Sequence, residues 1–110
     1  MSVTPNLIDG QSITSNITSD TIPLERKSGV AITFSISGSP VGIMMVEASN
    51  TNGPDDEDWF MVPGSTEHIY CSVGHAYNIA ECTFPYYRLR WRYYSGTGTL
   101  NASYSTKELQ

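Results

Sequence analysis

The segment YYRLRWRYY, residues 86–94, decides how the rest of the chain is read. In a β-strand, successive side chains point to opposite faces. On that period Tyr87, Leu89, Trp91 and Tyr93 share one face, and Tyr86, Arg88, Arg90, Arg92 and Tyr94 share the other. The first row is a core face with Trp91 as its largest member. The second is a ladder of three arginines between two tyrosines. Arginines in a row repel one another unless acids on adjacent strands, or on a partner, answer them. Glu47, Glu81 and the acidic run Asp55, Asp56, Glu57 and Asp58 are the candidates in this chain.

The same alternation recurs upstream. VAITFSIS (30–37) sets Val30, Ile32, Phe34 and Ile36 against Ala31, Thr33, Ser35 and Ser37, the pattern of a half-buried antiparallel strand. VGIMMVEAS (41–49) has apolar residues on both faces and belongs at the centre of a sheet or under cover on both sides. Shorter strands are expected within TIPLE (21–25), WFMVP (59–63), EHIYCSV (67–73) and HAYNIAEC (75–82), with Pro23 favouring an edge. GTGTLNASYSTKE (96–108) is expected to complete a hairpin with the arginine strand, Leu100, Ala102 and Tyr104 inward and Gly96 and Gly98 at positive φ. RKSG (26–29), Gly38-Ser39-Pro40 and NTNGPDDED (50–58) read as turns and a loop. No window keeps helical spacing without Gly, Pro or β-branched interruption. The expected fold is all-β: a single antiparallel β-sandwich of jelly-roll type, with about eight strands over residues 21–110. Residues 1–20, rich in Ser, Thr and Asn, are expected as an edge strand or as an arm on a neighbouring subunit.

Length and charge narrow the function classes. The chain has 110 residues, one domain's worth, and is 39% hydrophobic but only 15% charged. With 11 acids against 6 bases the net charge is −5, which opposes a general nucleic-acid surface. No segment is long and apolar enough to span a membrane. MSVTPNLIDGQS has neither the basic nor the apolar region of a secretory signal, so assembly in a cytoplasm is expected. The sequons at Asn16 and Asn101 then have no expected use.

Sites for chemistry are sparse. Cys71 and Cys82 lie with His68 and His75 in a spacing that matches no zinc motif, and strand alternation points His68 and Cys71 apart. Reduced core cysteines are expected rather than a metal site. The run DDED (55–58) beside Asn50, Asn52 and Gly53 has oxygen ligands suited to calcium, but its order departs from the EF-hand pattern, and a solvated loop tip is the favoured reading. No G-x-S-x-G, P-loop or placed acid pair supports an enzyme. Neither a metal nor a cofactor is expected.

Two stretches carry a resemblance. VEASNTNGPDDEDWFMVP resembles the strand–loop–Trp–strand segment of discoidin-like, galactose-binding-type β-sandwiches. FPYYRLRWRYYSGTGTLNASYS resembles their later Tyr/Arg strand, in the version found in small β-sandwich proteins of tailed-bacteriophage structural gene clusters. The resemblance covers roughly residues 41–105. The connections here are short, and the sugar-binding loops of the discoidin-like lectins have no counterpart. The resemblance therefore implies a non-enzymatic virion protein, a capsid decoration or cementing protein or a tail-associated component. Its partners would be copies of itself and other virion proteins, with no nucleic acid and no membrane. A carbohydrate-binding module for host adsorption is the alternative, using exposed Tyr86 and Tyr94 as a stacking platform. The candidate interface residues are Tyr86, Arg88, Arg90, Arg92, Tyr94, Asp55, Asp56, Glu57 and Asp58. Tyr and Arg are enriched at interface cores. Intrasubunit pairing of the arginines competes with that role.

Overall fold

Ten strands in two antiparallel sheets build the protein in a computed structural model that describes residues 6–24, 27–51, 53, 55–79 and 84–108. They are β1 (Asn6–Ile13), β2 (Ile17–Thr18), β3 (Ile22–Pro23), β4 (Lys27–Gly38), β5 (Val41–Ser49), β6 (Phe60–Met61), β7 (Glu67–Ile69), β8 (Val73–Ile79), β9 (Tyr86–Ser95) and β10 (Gly98–Glu108). One sheet has the order β1-β10-β4-β8. The other has β2-β9-β5-β6, with β3 also pairing β9 and β7 also pairing β5. The sole helical turn among the described residues is a 3-10 turn at Asp56–Asp58. No helix there is long and apolar enough to cross a membrane.

The inward rows are those the alternation assigns. Val30, Ile32, Phe34 and Ile36 of β4 meet Met44, Val46 and Ala48 of β5, Tyr87, Leu89 and Trp91 of β9, and Leu100 and Ala102 of β10 in one core. Tyr93 and Tyr104 pack at its margin. β5 is central, between β9 and the short strands β6 and β7. The Trp91 indole N–H is buried without a hydrogen-bond partner among the described residues.

Three expectations are corrected. First, β9 and β10 are not a hairpin, because β9 lies in one sheet and β10 in the other. β4 and β5 cross between the sheets at the same end. Since β4 pairs β10 and β5 pairs β9, the segments β4–β5 and β9–β10 form one long two-stranded ribbon, folded over at Gly38–Pro40 and Ser95–Gly98. Ser39 donates to the Thr97 carbonyl at 3.1 Å where the two bends touch. Gly96 has φ 81° and Gly38 φ 91°, so both take the left-handed conformation. Gly98 does not; a Cβ there would strike the Ser37 carbonyl and Pro40. Turn chemistry marks a bend but does not say whether the chain returns in its own sheet. Second, RKSG is not wholly a turn, since β4 begins at Lys27 and pairs β10 from its first residue. Third, Cys71 is an exposed free thiol rather than a core residue. Cys82 and Glu81 lie outside the described residues.

Residues 6–23 edge this chain's own sheets. β1 pairs β10, then β2 and β3 pair β9 in the opposite sheet. Ile8, Ile13, Ile17 and Ile22 enter the core from this polar stretch. Both sequon asparagines serve the backbone: Asn16 Oδ1 accepts from Tyr93 N at 2.8 Å, and Asn101 Oδ1 from Gly10 N at 2.7 Å.

Candidate functional site

The outer face of the β9 sheet collects most of the residues singled out by sequence. Arg88, Arg90 and Arg92 stand opposite Glu47, Met45 and Ile43 of β5. The ladder is graded along its length. Arg88 is only 7% exposed, Arg90 is half-buried and Arg92 is exposed.

Arg88 is answered within the chain. Its Nε and one terminal nitrogen each donate to Glu47 Oε1 at 2.8 Å. Its guanidinium carbon lies 4.3 Å from the centroid of the Trp59 ring. A planar, weakly hydrated guanidinium suits such a site, held in plane by a carboxylate and covered by an aromatic face. Trp59 is itself 5% exposed, and its indole N–H donates to the Gly53 carbonyl at 2.9 Å.

The acidic run is a solvated loop closed by a single 3-10 turn. Asp58 N donates to the Asp55 carbonyl at 3.0 Å, closing the turn, and Asp58 Oδ2 accepts from Asp55 N at 3.3 Å. Gly53 lies so close to the Asp58 side chain that a Cβ there would collide with it. Asp55 and Glu57 are exposed, while Asp58 is half-buried. The backbone of Asp56 belongs to the turn. Among the described residues, no group of three or more His, Cys, Asp or Glu side chains is placed to hold a metal ion.

Sequence reasoning named Glu47 as a partner for the ladder but missed Trp59 as the link between arginine face and acidic turn. Its position directly after DDED was the available signal. Around the link, Met45, Glu47, Arg90 and Arg92 line a shallow depression of about 190 Å³. Tyr94, at the far end of the ladder, is 61% exposed; Tyr86, at the near end, is half-buried beside Pro23 and Ser49. Phe60 and Met61 on the edge strand β6 are 62% and 50% exposed.

A second group spans the two sheets at the opposite margin. His75 Nε2 is 3.4 Å from Glu67 Oε1, joining β8 to β7. Tyr77 packs edge-on to His75 and donates its hydroxyl to the Met44 carbonyl at 3.3 Å. Burial, and next the charge of Glu67, push the Tyr77 hydroxyl well above the ordinary phenol pKa. Alternation sets His75 and Tyr77 on one face of β8, but nearness in sequence does not place Glu67 beside them, because it sits on β7 of the other sheet.

The same architecture occurs in a solved structure, that of the SPBc2 prophage-derived protein YomS. The likeness covers 96% of this chain and 97% of that one, with a TM-score of 0.54 and 16% sequence identity. At that identity the likeness shows the fold. No family model matches the chain, and no curated protein matches it.

Proposed function

We propose that the protein is a non-enzymatic structural component of a tailed-bacteriophage virion, acting through contacts with copies of itself and with other virion proteins. The observation that carries this reading is an end-to-end fold shared with a prophage-derived protein. The outer face of the β9 sheet supplies the contact surface. It offers the exposed Arg92 at a shallow depression, the exposed Tyr94 at the end of the ladder and the exposed Met61 on β6, while the exposed acids Asp55 and Glu57 belong to the turn that Trp59 ties to Arg88. A face holding both charge signs and exposed aromatic area fits the composition of protein interfaces. Arg88 contributes from beneath, by fixing the strand and Trp59. Capsid decoration and tail attachment are both compatible with such a face.

Purified virions should contain the chain in a fixed copy number per particle, measured by quantitative mass spectrometry. Particles lacking it would overturn the reading. The double substitution Arg92→Glu with Tyr94→Ala should lower incorporation about tenfold, the equivalent of roughly 1.4 kcal/mol. Normal incorporation of that folded variant would remove the face from the interface. The exposure of Tyr94 favours one other reading, a stacking platform for a host glycan. Glycan-array binding that Tyr94→Ala abolishes would establish it.

A further inference from the structure

The four sheet margins are not alike. A strand at a sheet edge presents unpaired backbone groups, which proteins usually blunt with bulges, charges, proline or brevity. β1 is interrupted by two register shifts, carries the exposed Asp9, and has Gly10 at φ 60°. β2 and β3 are two residues each, and β3 ends in Pro23. β6 and β7 are two and three residues long, separated by Pro63 and Gly64. Between them the Ser65 hydroxyl accepts from Val46 N at 3.1 Å, doing the work of a missing strand residue.

β8 has none of these devices. Its seven residues, VGHAYNI, contain no Asp, Glu, Lys, Arg or Pro. All seven pair with β4 in one unbroken register. No strand lies on its other side among the described residues. Alongside it runs a cleft of about 280 Å³, with Val62–Ser65 on one wall and His75–Ile79 on the other. The inward-facing Val73 and His75 remain half-exposed at this margin, as expected of a core left open on one side.

We infer that β8 is a self-pairing edge: two copies of this chain join β8 to β8, antiparallel, about a two-fold axis through Ala76. A two-fold contact must be self-complementary, because each residue meets its mate's symmetry equivalent. In this register Ala76 faces Ala76 of the second copy, His75 faces its Tyr77, and Gly74 faces its Asn78. The outer row, Gly74, Ala76 and Asn78, is small throughout, so its own side chains leave room for close approach. The inner row sets aromatic rings opposite each other, a favoured cross-strand pair. No Asp, Glu, Lys or Arg within β8 faces its own equivalent across the axis. The joined sheets would run continuously through both molecules, β1-β10-β4-β8 and its mirror order. A second copy is favoured over a foreign strand because this uncharged, symmetric row is its own complement. This surface is distinct from the arginine face, and the pairing holds or fails independently of any role in a virion.

Charge substitution at Ala76 tests it. Ala76 is exposed, so the fold should tolerate Ala76→Lys and Ala76→Glu. Sedimentation equilibrium should find the native chain dimeric. Each single variant should dissociate at least tenfold more readily, since like charges would meet at the axis. An equimolar mixture of A76K and A76E should recover the dimer. A native chain that stays monomeric to roughly millimolar concentration, or a dimer that both variants leave intact, would overturn the pairing. Hydrogen exchange on the native protein gives a second readout that needs no variant. Amides of β8 should gain protection as concentration rises through the dimer midpoint. Protection that arises only in the assembled particle would assign the edge to another virion strand and overturn self-pairing.

Discussion

Truncating Glu47 to Ala would remove the carboxylate that takes two donors of the Arg88 guanidinium. The Arg88 side chain is 9% exposed and the Glu47 side chain 14%, so water cannot replace what is lost unless the turn beneath Trp59 opens. Breaking one partner of a buried pair costs about 3–5 kcal/mol. The remaining exposure and the Trp59 face place this case near the lower end, at about 3 kcal/mol. A small domain is stable by about 5–15 kcal/mol in total. For a chain of this length the loss corresponds to a fall in Tm of roughly 10 °C or more. Urea titration of the native chain, Glu47→Leu, Arg88→Met and Glu47→Leu with Arg88→Met would close a double-mutant cycle, with Glu47→Ala measured beside it. The double variant should lie within about 1 kcal/mol of native, because apolar replacement of both members removes the cost of keeping two ions out of water together with their attraction. A Glu47→Ala variant within about 0.5 kcal/mol of native, or strictly additive single effects, would refute the account of Arg88 as a buried, chain-answered cation.

Two further outcomes follow from the core. Trp91→Ala should cost about 3–5 kcal/mol by thermal or chemical unfolding, and an unchanged Tm would mean that the face assignment of β9 is inverted. Tyr77 should give a pH signature at high pH. Its folded pKa is raised, so above the ordinary phenol value of about 10 the unfolded chain releases a proton that the native chain keeps. Stability contributed by the neutral phenol is therefore present below about pH 10 and lost above it. Tyr77→Phe should flatten that decline relative to the native chain, while lowering stability at neutral pH by about 1 kcal/mol through loss of the bond to Met44. Parallel pH profiles of the two proteins would refute the assignment.

The long strands were legible because alternation acts locally. Val30 to Ile36 and Tyr87 to Tyr93 announce their inward rows within a few residues, whatever they later pair with. Sheet membership was not legible. Gly96 marks a bend with equal force whether β10 returns beside β9 or crosses to β4. The strands β2, β3, β6 and β7 are too short to show a period, and the isoleucines of residues 6–23 are too widely spaced among polar neighbours to read as a core strip. At the site, charge arithmetic raised the question of which acid answers the ladder. Only the register of β5 against β9 selects Glu47 for Arg88, and only the folded turn brings Trp59 over it.

The two flanking margins shared by residues 6–23 bear on the order of folding. Gly10 is bonded to Asn101, 91 residues further along, and Ile17 and Ile22 await Trp91 and Tyr87. On a ribosome, the early segment emerges long before the strands that complete it. Its isoleucines stay unsheltered until β9 and β10 have been made. Contacts so distant in sequence also slow folding, because loop closure is costly before any pairing rewards it. The scarcity of charge in this segment, and its many Ser, Thr and Asn, can be understood as a compromise. It must remain soluble while waiting, yet carry little charge where its isoleucines close the core from the edges of two finished sheets.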